Sequence, residues 1–124
     1  MNLTDPPGPY DPRYLYGVGL FNHGEFFDAH EVWEDLWREA SGPEKQFYQG
    51  LIQCAVALEH ARRGNVRGAL RLAERYPLRL TGLPRIFMGL DIADFLRQMD
   101  RATRGIHEGE IESSMLPRIE LASK

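Results

Sequence analysis

The stretch His30-Glu31-Val32-Trp33-Glu34 carries an imidazole and two carboxylates within little more than one helical turn. Side chains three or four apart on a helix share a face, so His30 and Glu34 are spaced to act on one ion or one reacting atom. The pattern is one residue away from the H-E-x-x-H helix of zinc peptidases, where two histidines bind the metal and the intervening glutamate takes a proton. Here Glu34 stands in place of the second histidine, and zinc needs a third protein ligand, which only His60 or His23 would supply. On this reading His30, Glu34 and His60 are the metal candidates, Glu31 is the candidate catalytic base, and a divalent metal is the cofactor to consider. The di-iron bundle pattern requires two Glu-x-x-His motifs, and the chain has neither.

A blander chemistry fits the same residues. His30 would donate to a backbone carbonyl, a buried carboxylate or a glutamine, while Glu34 pairs with Arg38 one turn on. Between the two readings stands a ligand pocket with walls of Trp33 and Trp37, where His30, Glu31, Glu34, Gln49 and Gln53 orient the occupant. Both tryptophans serve equally as plain core.

A helix must position these groups. Phe26, His30, Trp33, Trp37 and Ala40 recur in steps of four and three, with Ala29 and Leu36 beside them, which predicts one buried face. Burying an imidazole is costly unless its ring nitrogens find partners. Gln49, Gln53 and His60 form a line on the next predicted helix, with Glu59 adjacent. The expectation is a dry seam between two helices holding a His/Glu/Gln cluster. The opposite side of the first of these helices, with Glu25, Asp28, Asp35 and Glu39, is acidic.

In chain order, residues 1–11 read as an extended, proline-rich arm. Asp11-Pro12 is a helix start, a capping aspartate followed by the one helical position that tolerates proline. Tyr14, Leu15, Val18 and Phe21 make its apolar face. After the central helix, Ser41 and Glu44 have the spacing of a capping box, and the third helix runs to about Arg63. Phe47, Leu51, Cys54, Ala55 and Leu58 face inward on it, and Gly50, Cys54, Ala57 and Ala61 form a small-residue strip that lets another helix come close. A fourth helix from Asn65 turns Val66, Ala69, Leu70 and Ala73 inward until Pro77 interrupts it. Asp91, three before Asp94, starts a fifth with Ile92, Phe95, Leu96, Met99 and Ile106. Residues 110–124 are read as an extended tail packed by Leu116, Ile119 and Leu121, and no strand pattern supports a sheet. Cys54, among small residues, behaves as a small hydrophobe. The fold class is therefore all-α: a single domain, one bundle of about five helices with the second and third at its centre.

Two blocks, Phe21 to Glu34 (FNHGEFFDAHEVWE) and Gln49-Gly50-Leu51-Ile52-Gln53 followed by Gly64-Asn65, resemble the signature of the prokaryotic domain-of-unknown-function family numbered 309. The resemblance extends over roughly residues 12–100, and His30, Glu31, Trp33, Glu34, Gly50 and Gln53 match the family's pattern. It implies a compact all-helical bundle of the kind found as a small stand-alone protein. It implies no activity.

Composition narrows the remaining choices. At 124 residues, 43% hydrophobic and 27% charged, the chain is one ordinary globular domain with no run of apolar residues long enough for a membrane span. The first residues lack the basic start and apolar core of a secretory signal, and one cysteine excludes an internal disulfide, so the expected compartment is the cytoplasm. The net charge of −3 conceals a segregation: residues 62–85 hold seven arginines against Glu74 alone. That segment suits a polyanion such as RNA, a solvated face, or a contact with the acidic helix inside the fold or in a homo-oligomer. An acidic chain with no nucleic-acid motif argues against RNA. The function expected from sequence is a binding or scaffold domain, which takes a small ligand or uses its polar cluster to organise the core. The rivals are a metal-dependent hydrolase built on His30, Glu34 and Glu31, and polyanion binding.

Overall fold

The computed structural model describes residues 10–108 and 116–122. The predicted arm at residues 1–9 and the first part of the predicted tail lie outside that range.

Helix α1 (Pro12–Asn22) starts where Asp11 accepts the Arg13 backbone N–H at 2.8 Å, with proline at the first helical position as the sequence requires. Gly24, at φ +80°, turns the chain directly into α2 (Phe26–Glu39). A second tight turn, with Gly42 at φ +61°, opens α3 (Gly42–Arg62), the longest helix. Ser41 makes no side-chain capping bond, so the expected capping box with Glu44 does not form. Gly42 instead opens the helix at positive φ, outside the right-handed helical region that a capped first turn uses.

Helix α3 is the spine: it packs against α2 on one side and against α4 (Val66–Ala73) and α5 (Tyr76–Leu80) on the other. Its small-residue strip is used as predicted. A Cβ on Gly50 would come within 2.6 Å of Leu80 Cδ2, so α5 rests where only glycine leaves room. Asn65 caps α4 by accepting the Gly68 N–H at 3.0 Å. Pro77 does not interrupt this helix; α4 ends at Ala73, and the proline lies in the first turn of α5, where no N–H is needed.

Two residue pairs then form a strand hairpin that the sequence reading lacked: β1 (Ile86–Phe87) runs antiparallel to β2 (Leu90–Asp91). Met88 and Gly89 both have positive φ, 49° and 80°, which is the geometry of the tight primed hairpin turn. The element is too short to show alternation, and Met-Gly is a weak turn signal. The Tyr14 hydroxyl donates to the Met88 carbonyl at 2.9 Å, fastening the hairpin to α1. Asp91 caps α6 (Ile92–Arg104) through the Asp94 N–H at 3.0 Å, as its spacing predicts. A 3₁₀ turn (Gly105–Glu108) follows, and the buried Ile106 belongs to it rather than to the helix. Residues 116–122 return extended across the bundle with Ile119 buried.

The core sits among α1, α2, α3 and α6 and is strongly aromatic: Tyr14, Phe21, Trp33, Phe47, Tyr48 and Phe95 are fully buried or nearly so. Their rings meet at centroid distances of 5.8–6.0 Å, tilted or edge to face, the arrangement ring quadrupoles favour.

Candidate functional site

The buried face of α2 is centred on Phe26, Ala29, Trp33 and Leu36. At about 100° per residue this centre lies roughly 80° from His30 and on the opposite side from Glu31. The stripe drawn through His30 and Trp37 is therefore rotated from the true one, and the dry seam of imidazole and acids is not what forms. His30 is half-buried, and its Nδ1 lies 2.8 Å from the Phe27 carbonyl oxygen, so that nitrogen carries the proton and donates within its own helix. Phe27 stands edge-on against the ring at 5.0 Å. Glu31 is exposed. Glu34 accepts from Arg38 at 3.1 Å, the one-turn pair the sequence suggests, and Arg38 also holds Asp35 at 3.1 Å.

The remaining members of the predicted cluster scatter. Trp33 is wholly buried, and its indole N–H donates to the Tyr14 carbonyl at 3.3 Å. Trp37 is half-buried under the Lys45 ammonium, which stands 4.4 Å above its ring. His60 accepts from the Asn65 amide at 3.1 Å, and His23 Nδ1 lies 2.8 Å from the Gly19 carbonyl. Gln49 is half-buried. Among the described residues no hydrogen bond joins His30, Glu31 or Glu34 to Gln49 or Gln53, and no three His, Cys, Asp or Glu side chains converge as a metal site. Among the described residues two buried side-chain polar atoms are left over: Trp37 Nε1, a donor, and Gln53 Oε1, an acceptor, neither with a partner there. Burial pushes the Cys54 thiol well above its ordinary range, which leaves it protonated and inert.

Other charged groups are organised more tightly. Glu59 is 6% exposed and takes Arg62 and Arg63 at 2.6 Å each. Arg13 spans α1 and α2, binding both Glu39 oxygens at 2.8 Å and Asp11 at 2.9 Å. Hydrogen bonds from Arg13 lower the Asp11 and Glu39 carboxyls. This clamp was not legible in the sequence, because 26 residues separate Arg13 from Glu39.

An opening of about 500 Å³ lies elsewhere, between α4 and α6. Leu70 and Ala73 form one wall and Leu96 the other; buried Tyr76 and Thr103 form the floor. Glu74, Asp100 and Arg104 ring the mouth, the last two paired at 2.9 Å. Burial raises the Tyr76 phenol well above its ordinary range, with Thr103 opposing the shift, so the hydroxyl stays neutral. The sequence showed Leu70, Ala73 and Leu96 as inward-facing, but not that α4 stops short and leaves them a gap. Among the described residues, no helix is long and apolar enough to cross a membrane.

These features define a small all-helical bundle built on a long antiparallel hairpin, with its polar motif spent largely on local bonds. The chain belongs to the family described as "Domain of unknown function (DUF309)", whose profile matches residues 14–72. A crystal structure of a conserved hypothetical protein from Thermus thermophilus has 35% sequence identity and a TM-score of 0.68, covering 77% of this chain and 99% of that one. A Bacillus subtilis protein described as "Uncharacterized protein YpuF" is 45% identical over 65 residues, 51% of this chain. An Aquifex aeolicus protein described only as uncharacterized is 31% identical over 75 residues, 60% of this chain. The match spans 37% of the Bacillus protein's length and 22% of the Aquifex protein's.

Proposed function

We propose that this chain is a binding module that takes a small ligand into the α4–α6 cleft, with α1–α3 as its rigid frame. The observation behind this reading is the cavity of about 500 Å³, which falls in the size range of small-molecule pockets and combines apolar walls with a few polar groups. Its mouth supports a choice of ligand. Asp100 is engaged by Arg104, whereas Glu74 is exposed and makes no ion pair among the described residues. A ligand with an apolar body and a cationic end would place the body against Leu70 and Leu96 and the charge near Glu74.

Calorimetric titration with an arylalkylamine and with the carboxylic acid of matching shape tests this. Saturable binding of the amine, preference over the acid, loss of that preference in Glu74→Gln, and loss of binding in Ala73→Phe are the expected results. At a hundred times its dissociation constant the amine would stabilise the fold by about 2.7 kcal/mol. Failure of both probes to bind, or undiminished binding in Ala73→Phe, overturns the reading.

A further inference from the structure

The arginines of this chain divide into two populations. Arg13, Arg38, Arg97 and Arg104 are held in ion pairs, as are Arg62 and Arg63 on Glu59 and Arg85 on Asp91 at the two ends of the basic segment. Between those ends, Arg67, Arg71, Arg75 and Arg79 are all exposed, and none has an acidic partner among the described residues. Arg101 and Arg118 are also unpaired there, but each stands alone, on α6 and on the extended return. The basic segment thus uses three guanidinium groups to fix its ends and leaves four in a row.

The row is ordered. Steps of four residues advance about 6 Å along a helix and rotate it by about 40°, so Arg67 and Arg71, both on α4, lie close to one line. Arg75 stands past the end of α4 as the cap residue of α5, and Arg79 lies on α5 itself, so the four follow one another through two short helices. Gln46 Nε2 donates to the Arg79 carbonyl at 2.8 Å and ties the far end of the row to α3. Like charges four apart destabilise a helix, and Arg67 and Arg71 stand so on α4, one of the shortest helices in the fold. An anion laid along the row would relieve that repulsion.

We propose that the α4–α5 arginine row binds the phosphodiester backbone of a single-stranded nucleic acid. Guanidinium forks match phosphate oxygens bidentately, and cations about 6 Å apart suit successive phosphates of an extended strand. Tyr76, the aromatic residue within this segment, is buried, so the surface stacks no bases and reads charge rather than sequence. The competing occupant is the acidic face of α2 on a second copy. Arg38 already holds Glu34 and Asp35, and Arg13 holds Glu39, which leaves that face sparser in charge than a phosphodiester chain. This surface is independent of the cleft: neither proposal needs the other.

The test is fluorescence anisotropy of a labelled, mixed-sequence single-stranded RNA titrated with the full chain over a series of salt concentrations. Four phosphate contacts on a single strand give a log–log salt slope of about −3, or about 50-fold weaker binding between 50 and 200 mM salt. The double variant Arg71→Gln/Arg75→Gln should halve that slope, leaving about a 7-fold loss over the same range. Arg97→Gln, on a different helix, should change neither affinity nor slope, and circular dichroism should show all variants folded. Absence of binding at 50 mM salt, or a slope unchanged in the double variant, overturns the proposal. So does salt-sensitive self-association in sedimentation that the double variant abolishes while no RNA is bound, which would assign the row to a second copy.

Discussion

The two halves of this bundle are built on opposite terms. In α1–α3 the helices are long and the residues between them interlock: a Cβ on Gly17 would lie 2.7 Å from Trp33 Cδ1, so α1 and α2 meet over an indole that only glycine admits. Around α4 and α5 the helices are short, a cleft of about 500 Å³ stays open between them and α6, and four exposed arginines follow one another at steps of four residues. The family match at residues 14–72 covers the first half and stops inside α4. The contrast separates the closely packed part of the molecule from the part that both proposed ligands would use. The His/Glu motif that draws the eye in sequence sits on the holding side.

That contrast can be broken by experiment. Trp33→Ala should cost about 3–5 kcal/mol in urea unfolding, as expected for an aromatic ring lost from a closed core. Gly17→Ala should cost about 1–3 kcal/mol by overpacking, even though alanine is the better helix former. Leu96→Ala, at the wall of the open cleft, should cost well under half the Trp33 value; equal losses would show that both halves are packed alike.

Smaller effects sharpen the picture. Gln53→Leu replaces an amide whose oxygen is buried without a partner, so it should be neutral or stabilising by up to about 1 kcal/mol. A clear loss would reveal a bond made by that oxygen. His30→Ala should cost no more than about 1 kcal/mol, because its ring nitrogen reaches only the Phe27 carbonyl.

The smallest effect concerns acid. Arg13 holds the folded-state carboxyls of Asp11 and Glu39 below their ordinary values of 3.8 and 4.5. A depressed carboxyl stabilises the fold fully above its unfolded value and loses that contribution as pH falls through the folded one. Stability from this clamp should therefore be flat near neutrality and decline below about pH 4.5. Arg13→Gln should flatten the acid limb of a melting-temperature profile, modestly, because the groups are open to solvent.

Local signals were read well from sequence. Asp11, Asn65 and Asp91 cap the helices they precede, and Gly50 marks the close approach of α5. Apart from the Ser41–Glu44 box, which does not form, the sequence misleads where a decision rests on partners distant in the chain. The phase of α2 is set by what Trp33 and Ala29 meet across the core, and a stripe that admits His30 and Trp37 fits the period nearly as well. Whether Pro77 ends one helix or begins another depends on Leu80 finding Gly50. Seven arginines can be counted in sequence, but which of them stay unpaired follows from the buried position of Glu59 and from the hairpin that brings Asp91 to Arg85.

The Asn22 side chain both donates to the Ile119 carbonyl and accepts the Ile119 N–H, each at 2.8 Å, across 97 residues of chain. An amide thus plays the part of a neighbouring strand, reading backbone alone and leaving the identity of residue 119 to the core behind it. During synthesis, α1 waits for this latch until residue 119, beyond all of α2 to α6, has left the ribosome. A nascent chain halted short of residue 119 would present that end of α1 to quality control unfastened.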